Sequence, residues 1–154
     1  MIGFPSLAST SMEQGRIAAC HAFGAPIPPA PEYFPYGIYA VPEISTVGLT
    51  ETEVRQKGIA YECGIARFRE TSRGHIMGLQ GGMMKLIFSL KTRRLLGAHI
   101  IGPQASTLLQ PLVQAMSFGL GIREMARGQY WIHPALAEVV ENALIGLEEA
   151  LLAP

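Results

Sequence analysis

Met83-Met84-Lys85-Leu86-Ile87-Phe88-Ser89-Leu90 and Leu95-Leu96-Gly97-Ala98-His99-Ile100-Ile101-Gly102 are two apolar runs separated by the polar interval Lys91-Thr92-Arg93-Arg94. Two runs of strand length joined by four polar residues read as a β-hairpin. Gly81 and Gly82, just before the hairpin, predict a bulge or a close approach of backbone. They do not read as a phosphate-cradling loop, because no G-x-G-x-x-G follows a strand and opens a helix there.

Working outward toward the amino terminus, residues 61–69 read as another strand, followed by a polar segment over 70–74. Thr50 with Glu53 forms a capping box, which starts a short helix through Val54 that stops at Gly58. Residues 37–48 read as the first strand, with Pro42 marking an irregularity or an edge. Prolines at 26, 28, 29, 31 and 35 stiffen residues 25–36 and deny them ladder hydrogen bonds, so this stretch is a linker. Residues 2–20 read as a loop entering a helix of small residues.

Downstream of the hairpin the period changes. Leu108, Leu109, Leu112, Val113 and Met116 fall on one helical stripe, with Gln110, Gln114 and Ser117 largely opposite it. This helix covers the sheet, and Pro111 is a candidate kink. A last helix places Val139, Val140, Ala143, Leu144, Leu147 and Leu151 on its apolar side and leaves Glu141, Glu148 and Glu149 as solvated charge. Strands, a hairpin and flanking helices in this order predict an α+β two-layer sandwich, an antiparallel sheet with helices on one face.

A chain of 154 residues, 49% hydrophobic, supports one compact core. Its formal charge is zero and its basic residues form no sustained run, so nucleic acid is not an expected partner. No apolar run approaches the ~20 residues of a membrane helix and no leader pattern opens the chain, so no membrane association and a cytoplasmic location are expected. Cys20 and Cys63 form neither a redox pair nor a metal framework, and His21, His75, His99 and His133 show no ligand spacing. No metal is predicted.

The stretch closest to chemistry is Trp131-Ile132-His133-Pro134-Ala135-Leu136-Ala137-Glu138. Pro134 suits the first position of a helix, which makes His133 the cap residue. At ~3.6 residues per turn the carboxylate of Glu138 comes within reach of a capping side chain that folds over the first turn. A His–carboxylate pair fixes the imidazole tautomer and raises its basicity, as a general acid/base near neutral pH requires. On spacing alone, a histidine before proline at a helix start is more often a cap or a packed aromatic than a catalyst.

With Gly121-Ile122-Arg123-Glu124-Met125-Ala126-Arg127 just upstream, this stretch resembles the carboxy-terminal signature of the FAD-dependent pyridine nucleotide-disulfide oxidoreductases. In that family a short helix leads into a His-Pro-Thr-x-x-Glu motif. His133, Pro134 and Glu138 fit it, and Ala135 stands in place of the threonine. Gly15, Arg16, Ala18 and Ala19 are similar to the ending of the family's FAD domain, and residues 37–154 to its dimerisation domain. The resemblance therefore implies three parts: residues 1–24 as the terminal helix of an otherwise missing FAD domain, 25–36 as the linker and 37–154 as the dimerisation domain.

It further implies a carboxy-terminal fragment that binds no cofactor itself, from a parent enzyme that uses FAD and NAD(P). Its partners would be a second copy in a homodimer and the missing FAD and NAD(P) domains. His133 and Glu138 would serve in trans at the partner subunit's active site, the isolated chain being inactive. Ile38-Tyr39-Ala40-Val41-Pro42-Glu43-Ile44-Ser45 looks most like soluble pyridine nucleotide transhydrogenases, while Gly97-Ala98-His99-Ile100-Ile101-Gly102-Pro103 is equally at home in dihydrolipoamide dehydrogenases. A transhydrogenase-like parent is the leading reading. The alternatives are a dihydrolipoamide dehydrogenase-type disulfide reductase and a purely structural dimerisation module.

Overall fold

A computed structural model describes residues 4–27 and 29–152, the side chains of 149–152 excepted. Residues 1–3 and Pro28, part of the expected amino-terminal loop and linker, lie outside the described residues, as do the side chains of Glu149 and Leu151. The chain divides into two compact units, residues 1–34 and 35–154. The first unit holds one helix, α1 (Ala8–Ala22), built largely of Ala, Ser, Thr and Gly.

The second unit runs β1 (Tyr36–Ile38), β2 (Ile44–Gly48), α2 (Glu51–Gln56), β3 (Tyr61–Arg67), a 3-10 turn (Phe68–Glu70), α3 (Ser72–Ile76), β4 (Met83–Ser89), β5 (Leu95–Ile101), α4 (Ala105–Ser117), α5 (Ile122–Arg127) and α6 (Glu138–Leu152). Its five strands form one antiparallel sheet in the order β1-β2-β5-β4-β3. The β4–β5 hairpin sits inside the sheet, with Met83 opposite Ile101 and Lys85 opposite His99. The α+β two-layer architecture expected from the pattern is the one observed.

Alternation along the strands sorts the residues into two faces. Ser45, Val47, Ala66, Met84, Leu86, Ala98 and Ile100 share one face and are buried. Over that face, α4 packs on β2 and β5 and α6 packs on β3 and β4, while buried Leu108, Leu109, Leu112 and Met116 from α4 and Val139, Val140, Ala143, Leu144 and Leu147 from α6 complete the core. The α4 helix continues through Pro111. Ser45 lies fully buried in this core, and its hydroxyl is satisfied by donating to the Ala105 carbonyl at 2.7 Å.

Several elements differ from the sequence reading. Residues 37–48 are two strands rather than one, because the Pro42 region leaves the ladder and Glu43 finds partners outside it. The Glu43 carbonyl accepts the Gly102 N–H at 2.8 Å, and its carboxylate accepts the Ser106 N–H in the first turn of α4 at 2.7 Å. Residues 61–69 leave the sheet at Arg67, since Phe68 turns inward and is fully buried. The polar segment over 70–74 ends the 3-10 turn at Glu70 and begins α3 at Ser72. Thr71 caps it, accepting the Gly74 N–H at 3.0 Å and donating to the Phe68 carbonyl at 2.8 Å.

The close approach expected at Gly81 and Gly82 occurs at Gly82, where φ is 93° and a Cβ would come within 2.8 Å of the Phe68 ring. That glycine admits a phenyl ring of the core. Helices are not confined to one face either. On the opposite face, α2 begins from the expected capping box, Thr50 accepting from the Glu53 N–H and Glu53 from the Thr50 N–H. Its Glu51 carboxylate takes the Lys85 ammonium, the Arg55 guanidinium and the Tyr61 hydroxyl. The far face of the sheet is polar where Lys85, Thr46 and His99 lie in one cross-strand row, and α2 supplies part of the charge that row needs.

Two predictions follow from this packing. A Cβ at Gly64 would meet the Ala143 carbonyl at 2.2 Å and the Leu147 side chain at 2.4 Å, so Gly64→Ala should overpack the β3–α6 contact and destabilise the domain by ~1–3 kcal/mol. Urea unfolding reads this directly, and an unchanged midpoint would mean that α6 shifts on the sheet without penalty. The second prediction concerns pH. The Lys85 hydrogen bond, followed by that from Tyr61, holds Glu51 at about 2, below its ordinary 4.5. A carboxylate depressed in the folded state contributes stability that is present above 4.5 and is lost as pH falls from 4.5 through about 2. Glu51→Gln should therefore flatten the fall in stability across that interval, and an identical acid profile for both proteins would refute the assignment.

Candidate functional site

His133 and Glu138 meet at the start of α6. The imidazole Nδ1 lies 2.7 Å from Glu138 Oε1, and the other carboxylate oxygen accepts the Ala135 N–H at 2.8 Å. A carboxylate only accepts, so Nδ1 carries the hydrogen and the neutral ring presents Nε2 as a free base. The hydrogen bond from His133 holds the Glu138 carboxyl below the ordinary carboxylate range, with the Ala135 N–H acting in the same direction against the opposing effect of desolvation. The carboxylate is mostly covered, its side chain 14% exposed, whereas the His133 side chain is 65% exposed.

The helix does not begin at Pro134, and His133 is not its cap. Residues 133–137 form turns, and α6 starts at Glu138. The N–H groups of 138, 139 and 140 donate three residues back, to the carbonyls of 135, 136 and 137, while the Ala135 N–H is taken by the Glu138 side chain. The carboxylate thus sits at the positive end of the helix dipole, which favours its ionised form. No spacing rule foretold the backbone contact from Ala135, since any residue other than proline supplies it.

Packing behind the pair fixes the turn. The short α5 expected just upstream is present and packs against α6. Arg127 Nε donates to Glu148 Oε2 at 2.8 Å, and Glu148 is only 9% exposed. Glu148 is therefore a buried, paired carboxylate rather than solvated charge; its partner lies 21 residues away, beyond any helical periodicity. Between the second half of α4, α5 and residues 128–132 runs an apolar groove of about 860 Å³. Trp131 lines it, with its indole Nε1 buried and without a hydrogen-bond partner.

The remaining histidines and cysteines have other settings. His99 Nε2 donates to the Leu49 carbonyl at 3.1 Å, and Nδ1 accepts from Thr46 Oγ1 at 2.6 Å. Burial pushes the His99 imidazole down from its ordinary value. Cys20 and Cys63 are free thiols in different units. Among the described residues no three of His, Cys, Asp and Glu gather as a metal site, and no helix is long and apolar enough to cross a membrane.

Against known families, residues 34–144 match the description "Pyridine nucleotide-disulphide oxidoreductase, dimerisation domain". The chain belongs to this family. The chain is 54% identical over 115 residues to a mycothione reductase of Mycobacterium tuberculosis (strain CDC 1551 / Oshkosh), covering 75% of this chain and 25% of that protein. It is 45% identical over 145 residues to a soluble pyridine nucleotide transhydrogenase of Mycobacterium bovis (strain BCG / Pasteur 1173P2), covering 94% and 31%. Among solved structures, LpdA from Mycobacterium tuberculosis superposes with a TM-score of 0.83 at 25% identity, covering 94% of this chain and 32% of that one. The HOCl-induced flavoprotein disulfide reductase RclA from Escherichia coli shares the fold, with a TM-score of 0.75 at 23% identity over 88% and 31%. The chain thus spans between a quarter and a third of the length of these relatives.

The His133–Glu138 geometry carries a direct spectroscopic expectation. Nitrogen-15 spectra of the neutral His133 ring should show Nδ1 protonated and Nε2 bare. In Glu138→Ala, with the acceptor removed, the ring should redistribute toward Nε2–H, and an unaltered Nδ1–H form would show that Glu138 does not set the tautomer.

Proposed function

We propose that this domain is the acid/base arm of a flavin-dependent pyridine nucleotide oxidoreductase of the disulfide-reducing kind, offered by each subunit of a homodimer to its partner. The observation that carries this reading is the 2.7 Å His133–Glu138 contact on an exposed ring, which leaves Nε2 free to take up and return a proton. In thiol–disulfide exchange the attacking sulfur must lose a proton and the departing sulfur must gain one. His133 Nε2 would take the proton from the thiol as its sulfur forms a mixed disulfide and the old S–S bond breaks, and would return it to the departing thiolate. Glu138 would hold the ring in the tautomer that leaves Nε2 open.

Dinucleotide cofactors are held at the carboxyl ends of parallel strands and on glycine-rich strand-to-helix turns. The sheet here is antiparallel throughout, which supports assigning FAD and NAD(P) to other parts of the parent enzyme on this reading. Both would belong to other domains of the parent enzyme, of which α1 would be the closing FAD-domain helix, followed by a linker to the dimerisation domain. Two chains are needed for chemistry on this reading, since the ring at the α6 entrance would act on a sulfur beside the partner's flavin; a two-fold interface supplies that arrangement twice.

A transhydrogenase parent is the second reading. Its support is the match to the transhydrogenase relative, which extends over 94% of the chain, against 75% for the mycothione reductase relative. Hydride exchange between nicotinamides through a flavin needs no thiol acid/base, so one substitution separates the two. In the full-length enzyme, His133→Ala should reduce disulfide turnover by about two to four orders of magnitude while leaving nicotinamide-to-nicotinamide transfer intact. Subunit exchange between His133→Ala and a variant inactivated in the flavin domain should restore one site per dimer. No recovery after demonstrated exchange, or a monomer in sedimentation at micromolar concentration, would overturn the trans arrangement.

A further inference from the structure

The tip of the β4–β5 hairpin carries Lys91, Arg93 and Arg94, and Arg123 lies in the first turn of α5. Four of the chain's 12 Lys and Arg residues therefore lie on the hairpin tip and α5 of a protein whose formal charge is zero. Arg93, Arg94 and Arg123 line one concavity of about 580 Å³, whose wall is otherwise formed by Thr92, residues 119–122 and Glu124, the one acidic side chain there among the described residues. The His133 turn does not contribute to this wall.

Backbone bonds build the concavity. The Arg93 carbonyl accepts the Ile122 N–H at 3.1 Å, and Arg94 bridges Gly121 in antiparallel fashion, so the hairpin tip is joined to the α4–α5 connection. The Arg93 N–H donates to the Ser89 carbonyl at 2.9 Å, and the Thr92 N–H donates to Ser89 Oγ at 3.1 Å. Arg93 itself adopts φ 58°, an uncommon conformation for a residue other than glycine, which persists where the surroundings over-determine it. Gly119, at φ 63°, ends α4 and leaves room for a guanidinium. A Cβ there would lie 3.2 Å from Arg94 Cζ and 3.3 Å from Arg94 Nη1.

A basic hairpin tip is ordinarily a solvated one. Here cations from two elements far apart in sequence face a single concavity, and backbone hydrogen bonds and a side-chain-free glycine seat one of them. We infer that this pocket binds a diphosphate group, free or carried by a nucleotide, with Arg94 and Arg123 as its ligands. Guanidinium forks match phosphate oxygens two at a time, which an ammonium cannot do. The volume accommodates a diphosphate with the group that carries it.

The test is a titration of the full chain with sodium diphosphate at constant ionic strength, read by calorimetry and by amide shifts. Saturable one-to-one binding is expected, with shifts confined to residues 92–94 and 119–124 and affinity about tenfold above that for sulfate. Arg94→Ala and Arg123→Ala should each weaken it by about tenfold, and Arg94→Lys, which keeps the charge and lacks the fork, should weaken it nearly as much. Lys91→Ala, on the same tip and outside the wall, should change it less than twofold. An ADP arm separates the sources: tighter binding than inorganic diphosphate assigns a nucleotide, and equal binding assigns the free anion. Non-saturating binding, shifts scattered over all basic residues, or equal losses for Lys91→Ala and Arg94→Ala would reduce the effect to general surface charge and overturn the proposal.

Discussion

Everything in the second unit depends on burying one face of the central β4–β5 hairpin. Met84, Leu86, Ala98 and Ile100 present that face and are almost wholly removed from water. At ~25 cal/mol per Å² of apolar surface, their burial is a larger favourable effect than the exposed ion pairs on the other face, which individually contribute ~0–1 kcal/mol. The face is too wide for one helix. Covering it takes α4 over β2 and β5 and α6 over β3 and β4, and those two helices determine where the intervening segment must run.

The site follows from that requirement. Val139, Val140 and Ala143 are buried in the first turns of α6, so the core sets both the axis and the starting point of the helix. Glu138 then projects from a fixed backbone with its two oxygens committed, one to Ala135 N–H and one to His133. The Arg127–Glu148 pair ties α5 to α6 and closes the loop between them from behind. Glu148 is covered while the Arg127 side chain is largely exposed, so loss of the guanidinium would leave a covered carboxylate without its partner. A rigid, covered carboxylate bearing an exposed imidazole is thus an outgrowth of core packing.

How much of this was legible in the sequence varies with the range of the deciding interaction. The hairpin was readable to within a residue because two apolar runs and a four-residue polar turn are local signals, and the Thr50–Glu53 capping box was readable for the same reason. The division of residues 37–48 was not, since Glu43 leaves the ladder for partners at Gly102 and Ser106, some 60 residues on. The turn at Phe68 depends on space opened by Gly82 and Gly102 across the sheet, and the burial of Glu148 depends on Arg127. The His133–Glu138 contact was readable as a pair, yet with the wrong helix start, because proline favours the first turn of a helix without requiring one.

Two histidines in one small domain differ in what the fold leaves their ring nitrogens free to do. His99 lies in the sheet with both ring nitrogens bonded, one to Leu49 and one to Thr46. Burial further disfavours its charged form. Any proton delivered there would have to displace the Thr46 hydroxyl from Nδ1 and face the Lys85 ammonium in the same cross-strand row, so both nitrogens of His99 serve the packing of the sheet. His133 has one nitrogen committed to a carboxylate and the other open, on a ring 65% exposed. No neighbour has to move for a proton to reach that open nitrogen. The difference lies in the number of ring nitrogens the fold leaves unsatisfied, and in the sign of the nearest charge.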